Sequence, residues 1–220
     1  SFDLSLPNGD VVIDYGFGNI YSLVKALKLS GYEIVVTEDP AGIVSADAVI
    51  IPGVGAFAAG MEGLEAKKLV KPLRDFAASG KPMLGICLGA QLLLDKGFEF
   101  GEHKGLGIIA GSVRAFPEFV ASADKVPNIG WNRIYSPKGA DWDADGCIFR
   151  GLSGKDVYFV HSYIMIPDDT GHLAALAEYG GLEFAAAVRK GNVYGTQFHP
   201  EKSQTNGLRV IRAFFESYAR

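Results

Sequence analysis

The sequence predicts an α/β fold: a mostly parallel central sheet flanked by helices on both faces, with antiparallel strands added in the second half of the chain. Three observations carry this expectation. Short β-branched runs alternate with segments of helical spacing as far as Leu94, and many of the 28 glycines stand directly behind those runs, where strands turn. Beyond Leu106 the apolar runs shorten and follow one another with only turns between them. Parallel neighbours need a crossover that a helix supplies, so the first half reads as βα units with functional side chains at strand C-termini.

Val11 to Tyr15 reads as a buried strand, after which Asn19 caps a helix whose Ile20, Leu23, Val24 and Leu27 share one face and which Gly31 ends. Glu33 to Thr37 and Asp47 to Ile51 give two more strands, Met61 to Ser79 a helix, and Pro82 to Cys87 a fourth strand leading into a helix over Gly89 to Leu94. The second half carries strands at Leu106 to Ile109, Val113 to Phe116, Asn128 to Tyr135, Val157 to Val160, Leu173 to Glu178, Phe184 to Arg189 and Val193 to Phe198. A helix from Gly207 to Tyr218 closes the chain with Leu208, Ile211, Phe214 and Phe215 on one side. No repeat or linker divides residues 11–220, which read as a single domain behind an unassigned N-terminal extension, Ser1 to Asp10.

A chain of 220 residues with 48% hydrophobic and 21% charged content has a globular composition, and at this length about 70% of the unfolded surface is buried on folding. No disulfide or structural metal is required. The net charge of -4 comes without a block of either sign, which argues against nucleic acid or a membrane surface as partner. The longest charge-free stretches, Ala48 to Met61 and Met83 to Leu94, fall short of the ~18 apolar residues of a spanning helix and are broken by glycine. Only two cysteines occur, Cys87 and Cys147, which suits a reducing cytoplasm better than a disulfide framework. With no C-x-x-C and no pair of histidines at helical metal spacing, neither a metal nor a cofactor is expected.

Gly85-Ile86-Cys87-Leu88-Gly89 follows an apolar strand and opens a helix, the cysteine version of a G-x-S-x-G nucleophile elbow. Its glycines relieve crowding where the chain turns, the helix dipole favours a thiolate, and the Leu88 N–H points where an oxyanion forms. Cys147 has no such setting and reads as a small core residue. A catalytic cysteine needs a histidine, and four are available. His199 ends a strand, and Glu201, two residues on, can reach the far side of its ring in extended backbone, completing a nucleophile, base and orienter. His103 and His172 sit in polar loop sequence. His161 follows Tyr158-Phe159-Val160 without a carboxylate two residues on, so a pocket or structural role suits it better.

Together, Gly85 to Gln91 and His199-Pro200-Glu201 resemble the class I glutamine amidotransferases, which release ammonia from glutamine through a cysteinyl thioester. Asp14 to Ile20, Pro52 to Phe57, Lys125 to Asn132, Phe159 to Tyr163 and Gln197 to Ser203 are most similar to the glutaminase subunits of imidazole glycerol phosphate synthase within that family. The resemblance implies that ammonia passes to a (β/α)8-barrel cyclase in histidine biosynthesis, the two chains forming a heterodimer. It implies a triad of Cys87, His199 and Glu201, an oxyanion hole from Leu88 and Gly53-Val54-Gly55, and glutamine contacts from Gln91, Glu99, His161, Ser162 and Tyr163. It also implies cyclase contacts from Asn19, Trp131 and Lys202. Asn128 stands where the family commonly has His. The alternatives are a glutaminase serving pyridoxal phosphate synthesis or sugar amidation, a cysteine peptidase, or a non-catalytic subunit on the same fold, against which the intact triad argues.

Overall fold

The computed structural model describes residues 9–116 and 125–218 of the 220; residues 1–8 of the expected N-terminal extension lie outside them. In chain order the elements are β1 (Asp10–Ile13), α1 (Ile20–Leu29), β2 (Ile34–Thr37), α2 (Pro40–Ser45), β3 (Ala48–Ile51), α3 (Phe57–Ala66), α4 (Val70–Ala78), β4 (Met83–Ile86), α5 (Leu88–Leu92), β5 (Leu94–Gly97), β6 (His103–Lys104) and β7 (Ile109–Ala115). There follow β8 (Asn128–Tyr135), β9 (Lys155–His161), β10 (Tyr163–Pro167), β11 (Leu173–Tyr179), β12 (Leu182–Lys190), β13 (Val193–Thr196) and α6 (Gln204–Glu216).

The central part of the sheet runs β2-β1-β3-β4-β13 with every neighbour parallel. Beyond β13 the order continues β12-β10-β7-β5-β6, mostly antiparallel, with β11, β8 and β9 branching from β12. Alternate strand residues feed two cores, as a side-chain period of two requires. Val12, Ile50 and Leu84 pack with Leu23 and Leu27 of α1 and with Phe214 and Phe215 of α6 on one face. On the other face Val11, Ile13, Val49, Ile51 and Met83 pack with Ile43 of α2, Leu64 of α3, Leu73 of α4 and Leu92 of α5. The expected parallel sheet covered on both faces is thus observed.

Several elements differ from the sequence expectation. The single helix over Met61 to Ser79 is two, α3 and α4, because the chain turns at Lys68 (φ 58°) and drives Leu69 into the core between them. The helix after Cys87 stops at Leu92, and the chain re-enters the sheet as β5 at Leu94. Of the strand expected at Leu106 to Ile109 only Ile109 is in the sheet, as the start of β7, which runs through Gly111 into the strand expected at Val113 to Phe116 and ends at Ala115. A Cβ on Gly111 would stand 2.5 Å from the Ile166 carbonyl oxygen, so the residue that read as a break is the one that lets β10 approach. In α6, Val210 takes a core position and Leu208 stays on the surface. Helix α2 and strand β10 carry too little periodicity to be seen in the sequence, and β1 begins at Asp10 rather than Val11.

Candidate active site

Strands β3, β4 and β13 lie side by side with Ile51 opposite Gly85 and Thr196 opposite Ile86, so the loops leaving their C-terminal ends meet. They carry Pro52 to Gly55, Cys87, and Gln197 to His199, and they open onto a cleft of about 470 Å³. Its lining includes Cys87, Leu88, His199, Val54, Gly55 and Gln91. Glu99, His161, Ser162, Tyr163 and Lys202 line it as well, whereas the expected Gly53 and Glu201 do not.

Cys87 has φ 54° and ψ -109°, a conformation that costs a non-glycine residue on the order of 1–3 kcal/mol and persists only where the surroundings enforce it. Those surroundings are visible. The Cys87 N–H donates to the Thr196 carbonyl at 2.7 Å, and the bracketing glycines have no room for a side chain. A Cβ on Gly85 would stand 2.6 Å from the Gly89 carbonyl oxygen, and one on Gly89 would stand 1.9 Å from the Ile51 carbonyl oxygen. Residue 89 must therefore be glycine for α5 to sit against the end of β3.

His199 is buried, and its Nδ1 bonds Glu201 Oε1 at 2.8 Å through the turn at Pro200. Its Nε2 has no hydrogen-bond partner of good geometry, which is common at catalytic pairs before substrate tightens them. Burial alone would lower the proton affinity of His199; the neighbouring Cys87 and the Glu201 carboxylate outweigh it and raise the pKa to about 9. An imidazole so placed can retain a proton taken from the thiol.

His161 behaves oppositely. Burial pushes its pKa down to about 4, against the hydrogen bond to the Tyr163 carbonyl, and the proximity of His199 adds to the depression. A carbonyl only accepts, so Nδ1 carries the proton that bonds Tyr163 O at 2.9 Å, and Nε2 accepts from Asn128 Nδ2 at 3.2 Å. His161 is a neutral wall of the cleft, as its lack of a carboxylate partner suggested. Asn128, buried at the start of β8, leaves its Oδ1 without a partner.

Gln91 donates from Nε2 to Tyr163 O at 3.2 Å and to Gln197 Oε1 at 3.0 Å, which uses both amide hydrogens and leaves Oε1 to accept from a ligand. Glu99 Oε2 accepts from the Phe57 N–H at 2.8 Å, at the start of α3. Tyr15, whose pKa burial and Cys87 both raise, donates its hydroxyl to the Pro52 carbonyl at 2.7 Å and so braces the loop after β3. Within that loop the expected oxyanion donor is engaged: Leu88 N–H faces the Gly53 carbonyl oxygen at 3.4 Å. Gly53 itself lies behind the wall, where a Cβ would stand 2.5 Å from the Tyr15 hydroxyl.

Asn19 and Trp131 are exposed and do not line the cleft; the Asn19 side chain caps α1 through Ser22 N–H at 3.2 Å. The Trp131 ring meets Tyr158 edge-on, and the Tyr158 carbonyl accepts from the His199 N–H at 2.9 Å. Cys147 is a free thiol packed against the first core, and His103 and His172 are half-buried outside the cleft. Sequence reasoning missed Gln197, whose Nε2 lies 3.7 Å from Cys87 Sγ. The alternation that joined His199 to Glu201 also puts Gln197 on the His199 side of the strand, and that signal was available.

Comparison with known proteins agrees with this geometry. The glutamine amidotransferase class-I family model matches residues 11–217. The imidazole glycerol phosphate synthase subunit HisH of Rhodopirellula baltica is 47% identical over 92% of this chain and 95% of its own length. That of Syntrophotalea carbinolica is 48% identical over 93% and 98%. A solved structure of a glutamine amidotransferase shares the fold with a TM-score of 0.70 at 20% identity, covering 94% of this chain and 97% of its own. A strained cysteine elbow facing a histidine with its carboxylate, on a chain matched almost end to end, places the protein in the class I glutamine amidotransferase family, among relatives of the HisH type.

Proposed function

We propose that this chain is the glutaminase subunit of an imidazole glycerol phosphate synthase, hydrolysing glutamine to glutamate and passing ammonia to a (β/α)8-barrel cyclase subunit in histidine biosynthesis. The supporting observation is that Cys87 and His199 line one cleft while Glu201 holds the far nitrogen of the imidazole. His199 takes the thiol proton, the sulfur attacks the side-chain amide carbon, and the imidazolium then protonates the departing ammonia. Water hydrolyses the thioester with His199 as base. Gln91 Oε1 accepts from a donor of glutamine, and Glu99 suits its α-ammonium group.

The tetrahedral oxyanion needs donors, and Leu88 N–H is turned toward Gly53 O. Rotation of the Gly53–Val54 peptide frees that N–H and swings the Val54 N–H toward the sulfur, forming the hole from Leu88 and the Gly53 to Gly55 loop. The rotation changes ψ at residue 53 and φ at Val54, and at Gly53 it meets no side chain of its own. Trp131, Asn19 and the exposed Lys202 at the cleft form the face that meets the cyclase, giving a heterodimer in which binding triggers the rotation. Both cysteines are free thiols, in keeping with a cytoplasmic setting. Among the described residues no helix is long and apolar enough to cross a membrane.

The test measures glutamate and ammonia release from glutamine, with and without a cyclase subunit and its nucleotide substrate. Release that depends on the cyclase and vanishes in Cys87→Ala is expected. Stimulation by a synthase of another pathway, or none by the cyclase, overturns the assignment.

A further inference from the structure

Behind Cys87 a line of buried side chains joins the sulfur to the start of β10, and its polarity is forced from one end. The Tyr163 carbonyl oxygen can only accept, so Gln91 presents its NH2 group to it. The same NH2 group faces Gln197, which must therefore answer with Oε1, at 3.0 Å. That leaves Gln197 Nε2 pointing at the sulfur, 3.7 Å away, with no freedom to flip. Gln197 is fully buried, and its backbone N–H is held by the Ala186 carbonyl at 2.8 Å. A buried amide with a fixed donor aimed at a nucleophile favours the nucleophile's charged form.

We propose that Gln197 is a catalytic residue of this site: a donor, locked by Gln91 and Tyr163, that holds the Cys87 sulfur in its anionic form for attack. The opposing influence is the Val160 carbonyl, 3.8 Å from the same sulfur, which pairs with the thiol. The other groups that act on Cys87 are His199 from the end of β13 with Glu201 behind it, and Tyr15 after β1, whose proton is committed to Pro52. His161, Glu99 and Lys202 line the same cleft. Unlike the titratable groups among these, Gln197 is neutral at every pH, so its effect on the thiolate does not depend on its own titration.

The proposal deepens the glutaminase reading, and its test avoids glutamine so that the two can fail separately. Alkylation of Cys87 by iodoacetamide in the full chain is followed at the Cys87 peptide by mass spectrometry, across the neutral to alkaline range. Gln197→Met, which keeps the volume and removes the donor, is expected to react about tenfold more slowly at neutral pH and to converge on the parent rate in alkali. Gln197→Glu is expected to be slower still, because a carboxylate beside the sulfur repels the thiolate. A Gln197→Met profile that superimposes on the parent, or is offset by one factor at every pH, overturns the proposal. Should Gln197→Met fail to fold, Gln91→Met leaves Gln197 packed but unlocks its amide. A smaller loss confined to neutral pH then supports the relay, and an unchanged profile overturns it.

Discussion

The Leu88 N–H, a proposed oxyanion donor, is 3.4 Å from the Gly53 carbonyl oxygen. In the proposed function, one peptide of the loop after β3 thereby occupies the Leu88 donor and turns the Val54 N–H away from the site.

In the proposed function this relationship limits the resting activity. Loss of a single oxyanion donor typically costs about 10²–10³ in kcat. Turnover of glutamine by the isolated chain is expected to lie at least about 10²-fold below that of the complex with the cyclase, with a much smaller change in KM. Steady-state kinetics with and without partner check this, and comparable kcat values in the two states contradict a closed hole.

Among the described residues, the Glu201 side chain hydrogen-bonds only His199, through the 2.8 Å bond to Nδ1. Glu201→Gln keeps the shape but no longer stabilises an imidazolium, and its amide can present a donor that selects the wrong tautomer. A fall in kcat of about 10³–10⁴ with nearly unchanged KM is expected, by analogy with the aspartate of serine-protease triads. A loss below about tenfold means that another group orients the base.

The two buried imidazoles give stability opposite pH dependences. For His199, raised to about 9, the folded state binds the proton more tightly than the unfolded chain. Its contribution is complete below about 6.5 and is lost as pH rises through 9. For His161, lowered to about 4, the folded state resists protonation; its contribution is complete above about 6.5 and is lost as pH falls toward 4. Urea unfolding at a series of pH values is expected to show a maximum near pH 6.5. His161→Gln should flatten the acid limb and leave the alkaline limb in place.

Gly89 is constrained by contact with the Ile51 carbonyl, which a Cβ would meet at 1.9 Å. Gly89→Ala is expected to destabilise by about 3 kcal/mol or more, since backbone on both sides must move. For a domain of this size that lowers Tm by about 6–12 °C. Gly31→Ala, where a Cβ meets nothing within 4 Å but φ is 88°, isolates the backbone strain alone and serves as the comparison. Equal melting temperatures for the two variants contradict the steric account.

Much was legible from residues near one another along the chain. The Asn19 cap with its 3.6-residue stripe, the two glycines around Cys87, and the i, i+2 relation of His199 to Glu201 depend on local geometry, which a sequence displays directly. The family motifs in turn pointed to a cleft that the three strand ends bring together. Other features depended on contacts between distant segments. The break at Lys68 exists because Leu69 finds a place in the core, and β7 runs through Gly111 because β10 passes close to it. The direction of the Gly53 peptide and the aim of the Gln197 amide are choices between states of similar local energy. They are settled by hydrogen bonds to Leu88 and Gln91, partners 35 and 106 positions away, which only the assembled sheet brings within reach.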